Sequence, residues 1–303
     1  MEIFLPVAGV SVNIFLIIGL GGIVGLLSGL FGVGGGFLLT PLLMMFGIPP
    51  TVAAASDANQ IVAASTSGTY AHYREGNVDI KMGVYMLIGG IIGGTLGTQI
   101  IKILREMGNV DFVIKVFYVT FLGIIGAFML LESLRALKGS KEEEIEKPSL
   151  LKKWMMKLPF QIEFEKSRVR TSLLAPVALG GIVGILAAIM GVGGGFILIP
   201  VMVYGLGMPM NVVIGTSLFQ ILFTSANVTF MQSIINHNVD IFLAIILLLG
   251  SSFGAQIGAR LGRKLSSDHL KIILATIVLL VSVKMLFDIM IMPAHILSYK
   301  GGH

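Results

Sequence analysis

Two stretches of this chain combine residue types that can hold an anion without a counter-charge. Gly32-Val-Gly-Gly-Gly36 runs into Phe37, and Gly191-Val-Gly-Gly-Gly195 runs into Phe196. Each interrupts an apolar run that reads as helix on both sides. Glycine lets the backbone take positive φ and lets another group approach closely. A helix that restarts after such a break has N–H groups with no partner of their own, and its positive dipole end faces the break. The N–H groups of Gly34, Gly35, Gly36 and Phe37, and of Gly193, Gly194, Gly195 and Phe196, are therefore the first candidates for contact with an anion. A tight turn for close helix packing is the alternative, and the duplication favours binding. Neither run fits a nucleotide loop, because no Lys-Ser or Lys-Thr follows and no βαβ pattern surrounds it.

A polar helix follows each break. The first carries Ser56, Asp57, Asn59 and Gln60, then Ser65; the second carries Thr216, Ser217 and Gln220, then Thr224 and Ser225. Neutral hydroxyls and amides can hydrogen-bond an oxyanion without neutralising it. The same groups also bond helices to one another in membranes, and both uses stay open. Asp57 is a candidate for proton coupling, since an ionisable residue in an apolar stretch is a functional candidate. It is equally placed to favour the helix start at Pro49-Pro50. Its counterpart is Ser217, so it lies outside the repeated set.

His72, Asp79, His237 and Asp240 close these helices, where capping and turn roles fit better than a metal site. No metal and no cofactor is expected. The chain has no cysteine, which removes thiolate chemistry. It has no His-Glu-x-x-His and no evident nucleophile–base pair, so an enzyme is not expected.

The elements that must position these residues are membrane helices. The chain is 55% hydrophobic and 12% charged, with a mean hydropathy of +0.94. Soluble domains carry about twice that charged fraction. Apolar runs at 80–103, 112–131 and 272–291 exceed the ~18 residues that cross a bilayer. The net charge of +5 comes mainly from short loops and a central polar stretch, where it sets topology rather than attracting nucleic acid.

The halves match beyond the glycine runs. Gln60 pairs with Gln220, Ser65 with Ser225, and Asn77-Val-Asp79 with Asn238-Val-Asp240. Gly89, Gly93 and Gly97 match Gly250, Gly254 and Gly258, and read as small-residue packing seams. The fold expected is an all-α polytopic membrane protein of two homologous, inverted repeats. Each has a broken glycine-rich re-entrant segment plus three long transmembrane helices. The helices fall near 12–46, 51–72, 79–105 and 110–137, then 171–206, 211–235, 240–264 and 267–292. Residues 1–137 form the first repeat, 138–170 a polar linker, and 171–303 the second repeat. The linker includes the alternating stretch Phe160-Gln-Ile-Glu-Phe-Glu165.

Inversion rests on charge. The linker holds nine Lys and Arg residues, the 72–81 loop has Arg74 and Lys81, and the 232–240 loop has none. Placing the first two in the cytoplasm and the third outside satisfies the positive-inside rule. Lys102 and Arg105 then fall outside, which counts against it. Eight simple spans with parallel repeats are the alternative.

The duplicated Gly-x-Gly-Gly-Gly segments, Ala54-Ala55-Ser56, Gly215-Thr216-Ser217-Leu218 and His72-Tyr-Arg-Glu-Gly-Asn-Val-Asp79 together resemble the TauE/SafE family of sulfite-exporter-type permeases. The resemblance covers nearly the whole chain apart from the central linker. It implies a multi-pass transporter of a bacterial or archaeal cell (inner) membrane, moving sulfite, sulfoacetate or other organosulfonates. Asp57 matches no family motif. The expected mechanism is alternating access around a midplane anion site, with export driven by the inside-negative potential. An anion channel of the same architecture and a proton-coupled importer of another small organic anion are the alternatives. The partners expected are a small anionic substrate and the lipid bilayer, without nucleic acid, and a second copy in a homodimer.

Overall fold

A computed structural model describes residues 2–31, 36–137, 159–262 and 267–290. It is a helical membrane protein with ten described helices. In the first half these are α1 (Ile14–Phe31), α2 (Gly36–Met45), α3 (Pro50–Arg74), α4 (Ile80–Glu106) and α5 (Val110–Leu137). In the second they are α6 (Leu174–Met190), α7 (Gly195–Pro200), α8 (Met210–Met231), α9 (Ile241–Gly262) and α10 (Ser267–Met290). Helices α7 and α8 each continue through a π-helical turn, at Val201–Gly205 and Gln232–Asn236. The first follows Pro200, whose missing N–H interrupts the regular ladder.

Four described segments are long and apolar enough to cross a bilayer: Ile80–Glu106, Val110–Leu131, Met210–Asn236 and Ile241–Gly258. Their outward faces carry Ile88, Ile92 and Leu96 on α4, and Ile245, Phe253 and Ile257 on α9, all exposed in the isolated chain. Hydrocarbon tails cover such a surface without loss, because the helical backbone is already hydrogen-bonded.

Helix ends are set locally. Pro50 opens α3 at a position where its missing N–H is an orphan anyway. The Asp79 carboxylate caps α4 by accepting the Met82 N–H at 3.0 Å. Gly191 ends α6 in the left-handed conformation (φ 71°), with its N–H on the Ala187 carbonyl at 2.8 Å.

The helices cross between halves. α1 lies along α9, and α6 along α4. Both seams are made by glycine. A Cβ at Gly254 would stand 2.0 Å from the Gly22 carbonyl oxygen, and one at Gly93 would stand 2.0 Å from that of Gly181. The backbones touch, as the four-residue glycine spacing predicts. α3 packs along α8 and α5 along α10.

Two short hairpins stand before α1 and α6. β1 (Glu2–Leu5) pairs with β2 (Val10–Asn13), and β3 (Gln161–Phe164) with β4 (Val169–Ser172), both antiparallel. The alternating stretch at Phe160–Glu165, placed in the polar linker from the sequence, is therefore a strand. Alternation is the β period, and here it buries Phe164 completely while Glu163 faces outward. The rest of the expected linker, 138–158, lies outside the described residues.

Candidate functional site

The second glycine run is a compact turn between α6 and α7. A Cβ at Gly191 would stand 2.1 Å from the Ala54 carbonyl oxygen on α3. Gly193, at φ 68°, lies between Ile61 of α3 and Ile221 of α8; a Cβ there would stand 3.0 and 2.9 Å from their methyl groups, and 3.4 Å from Ser225 Oγ. Only glycine fits a left-handed backbone with that little space. Gly194 caps the start of α7, followed by buried Gly195 and Phe196.

Of the first run, Gly34 and Gly35 lie outside the described residues, and Gly36 and Phe37 begin α2. A Cβ at Gly36 would meet Ile61 Cδ1 at 2.3 Å and Asp57 Oδ2 at 3.2 Å. Ile61 thus touches both Gly36 and Gly193. The Phe37 and Phe196 rings sit 5.9 Å apart, tilted by 34°. The two glycine-broken segments meet.

Polar groups without partners line α3 and α8 beside this meeting point. Gln60 Oε1, Ser65 Oγ, Gln220 Oε1 and Ser225 Oγ are buried and unpartnered. They form two pairs of equivalent positions in the two halves. Gln220 uses its Nε2 on Thr224 Oγ1 at 2.8 Å. A buried polar atom without a partner costs about 1–3 kcal/mol; the two serine hydroxyls can donate to a ligand, whereas the two Oε1 atoms can only accept. α2, α7 and α8 contain no Lys, Arg, Asp or Glu.

Asp57 is fully buried, one turn before Gln60. Its Oδ2 accepts from Thr40 Oγ1 at 2.7 Å, and its Oδ1 has no partner. Tyr118 of α5 lies within hydrogen-bonding reach of Thr40 and donates to the Met190 carbonyl, immediately before the second glycine run.

The remaining expected residues have other work. Ser56 Oγ accepts the Asp240 N–H at 3.3 Å, and Thr216 Oγ1 accepts the Asp79 N–H at 3.0 Å. Ser217 Oγ donates to the Ile214 carbonyl at 3.0 Å within its own helix. Asn59 is half-buried. Among the described residues no group of three or more His, Cys, Asp or Glu could hold a metal ion.

The chain matches the family described as sulfite exporter TauE/SafE over residues 17–285. It belongs to the TauE/SafE family. The match spans both glycine runs, both polar helices and both seams. Among its relatives, the probable membrane transporter protein YjnA of Bacillus subtilis is 30% identical over 91% of this chain and all of its own length. The probable membrane transporter protein YunE of the same organism is 26% identical over 90% of this chain and 97% of its own. Sulfite exporter TauE/SafE family protein 5 of Arabidopsis thaliana is 48% identical over a short stretch, 14% of this chain and 9% of its own. No solved structure matches. This TauE/SafE protein is thus a multi-pass membrane transporter.

Sequence reasoning missed three participants in this TauE/SafE fold. Thr40 reaches Asp57 from the preceding helix and Tyr118 reaches the Met190 carbonyl from α5, and no local pattern marks them. Arg105, expected to be an unfavourable outer charge, donates to the Asn236 carbonyl at 2.6 Å and to the Asn238 side-chain oxygen. The repeated Asn-x-Asp was legible as a cap, but its cross-half partners were not.

Proposed function

We propose that this transporter carries a sulfur-containing oxyanion, sulfite or an organosulfonate such as sulfoacetate, outward across the cell membrane by alternating access. The observation that carries the reading is the meeting of the two glycine segments at Phe37 and Phe196, beside the unpartnered hydroxyls of Ser65 and Ser225. The Ser65 and Ser225 hydroxyls, with turn N–H groups of Gly36, Phe37, Gly193, Gly194, Gly195 and Phe196 nearby, suit an oxygen cluster; Gln60 and Gln220 would join it once their amides turn to present N–H groups in place of Oε1. Gly34 and Gly35, expected from the sequence to join them, lie outside the described residues. Asn59 is half-buried on α3, while Ser56 and Thr216 serve the site by tying α3 and α8 to Asp240 and Asp79, and Ser217 bonds within α8.

Inverted repeats, each with a re-entrant glycine hairpin, are the architecture this mechanism uses. Two contacts support inversion. The start of α3 (Ser56) lies at Asp240, just past the end of α8, and the start of α8 (Thr216) lies at Asp79, just past the end of α3. α3 and α8 therefore run in opposite directions. The second hairpin, which ends the linker, joins the Asp79 end through Ser167. Positive charge in the linker puts that end in the cytoplasm.

With no Lys or Arg on α2, α7 or α8, and none on α3 before Arg74 at its end, the substrate's charge crosses uncompensated. Inside-negative potential then favours exit by about 2.3 kcal/mol per charge per 100 mV. Import of a small organic anion coupled to a proton is the second reading, favoured by the buried, half-partnered carboxyl of Asp57.

Proteoliposome flux separates the two. Sulfite, sulfate, sulfoacetate, taurine and a dicarboxylate are compared under imposed voltage and under an imposed pH gradient. Saturable flux of sulfite or sulfoacetate that follows voltage supports voltage-driven export. Accumulation that follows the pH gradient and vanishes in Asp57→Asn supports the second reading. Preference for the dicarboxylate or a cation contradicts the sulfur-anion assignment.

A further inference from the structure

Asp79 and Asp240 occupy equivalent places at opposite ends of the antiparallel pair α3/α8, and each uses its backbone and both carboxylate oxygens. Asp79 Oδ1 caps α4 through Met82 N–H at 3.0 Å. Its Oδ2 accepts from Ser167 N–H at 3.1 Å and from the Ser167 hydroxyl at 2.5 Å, in the turn of the second hairpin. Its own N–H reaches Thr216 on α8. Asp240 repeats the scheme. Oδ1 caps α9 through Leu243 N–H at 3.2 Å, Oδ2 accepts Val7 N–H at 3.0 Å in the turn of the first hairpin, and its N–H reaches Ser56 on α3.

Each aspartate therefore ties its own half to a hairpin and a polar helix of the other half. Both carboxylates are nearly or fully buried, Asp79 at 4% and Asp240 at 0% exposure, so these are charge-assisted bonds shielded from water. Simple helix capping needs only the bonds to Met82 and Leu243. The other bonds cross between the halves, and any rocking of one half against the other must break one set.

The acceptors also stand next to the proposed substrate site. Ser56 precedes Gln60 by four residues on α3, and Thr216 precedes Gln220 by four on α8. Residues four apart share a helix face. An anion that turns the Gln60 and Gln220 amides to accept from their N–H groups therefore pulls on the helix turns that hold Asp240 and Asp79.

We propose that Asp79 and Asp240 are the two gate-positioning residues of transport. Each releases its hairpin in turn while the other stays latched, Asp79 on the linker side and Asp240 on the opposite side. The inference rests on the alternating-access reading above. It adds which residues gate each side and how the site reaches them.

Hydrogen exchange on the full chain in lipid nanodiscs tests it. Asp79→Asn should speed exchange at least about tenfold at 77–82 and 165–172, the loss expected when a hydrogen bond to a charged group is removed. Exchange at 5–13 and 238–243 should stay at the parent rate. Asp240→Asn should do the reverse. Equal acceleration of both ends in either variant would overturn independent gates and leave a global stabilising role.

A cross-link gives a second readout that does not depend on the variant's stability. The chain has no cysteine, so one disulfide can be placed between positions 79 and 167, and in another protein between 7 and 240. Sulfoacetate is the probe, because sulfite itself cleaves disulfides. Either lock should abolish sulfoacetate flux reversibly on reduction. Flux at the uncrosslinked rate with a gate locked would overturn the proposal. Absence of flux for every anion in the parent protein would instead overturn the transport reading, whatever the exchange pattern.

Discussion

The backbone N–H of Asp79 donates to the Thr216 hydroxyl at 3.0 Å across 137 residues of chain. The same bond recurs between Asp240 and Ser56 at 3.3 Å. Two matching contacts thus stand at the two ends of an antiparallel helix pair. The site proposed for the anion lies between them.

Removing either acceptor should destabilise the fold. Thr216→Val keeps the volume but strands a buried N–H, which costs roughly 1–3 kcal/mol. Ser56→Ala should lose a similar or smaller amount, because its bond is longer. Thermal unfolding in detergent should show lower midpoints for both. An unchanged midpoint for Thr216→Val would mean that this bond contributes nothing.

The direction of α3 relative to α8 predicts labelling from opposite sides. Glu75→Cys lies past the end of α3 and Ser233→Cys in the π-turn that ends α8; both parent residues are exposed. In intact cells, an impermeant maleimide should modify the cysteine at 233 and spare the one at 75. Modification of both from one side would support parallel spans instead.

The glycine seams make a paired prediction. Gly93→Ala and Gly254→Ala each force a Cβ to within 2.0 Å of a carbonyl oxygen on the neighbouring helix. Each should destabilise by at least about 1–3 kcal/mol, the usual cost of overpacking. Gly19→Ala on α1 meets nothing within 4 Å. It should be neutral, or stabilising by about 0.4–1 kcal/mol. Unfolding midpoints of the three variants, compared in one detergent, check the ranking.

What could be read from the sequence was whatever repeats or has a period. The glycine runs, the Gln60/Gln220 and Ser65/Ser225 pairs and the seam spacing all declare themselves by duplication. Helix positions followed from apolar length. The hairpins were harder, because four-residue strands bracketed by turns look like connectors, even where Val10–Asn13 and Phe160–Glu165 alternate. Partners across the fold were not legible at all. Nothing near Tyr118 in sequence names Met190, and nothing near Arg105 names Asn238, because those contacts exist only after α5 has packed on the end of α6 and α4 on the loop before α9. Ser56 and Thr216 had the right chemistry for a ligand, yet each hydroxyl accepts a loop N–H.

At the glycine turn, Gly193→Ala should reduce transport more than it reduces folding. The left-handed φ of 68° and the contacts at 2.9 and 3.0 Å with Ile221 and Ile61 leave no room for a methyl group. The turn must shift relative to Ser225. Flux per folded protein should fall at least about tenfold, as displacement of a positioned group by about 1 Å can cost more than that. Flux at the parent rate with normal folding would separate this turn from the site.

The central claim is that an anion binds between α3 and α8 through their paired polar side chains. The most direct measurement is the concentration dependence of sulfoacetate flux in proteoliposomes for the parent, Ser65→Ala, Ser225→Ala and the double variant. Each lost hydrogen bond to a charged ligand is worth about 1.5–3 kcal/mol. The account predicts half-saturation raised about tenfold or more in each single variant, and further in the double, with the protein still folded. Half-saturation unchanged in the double variant would contradict it.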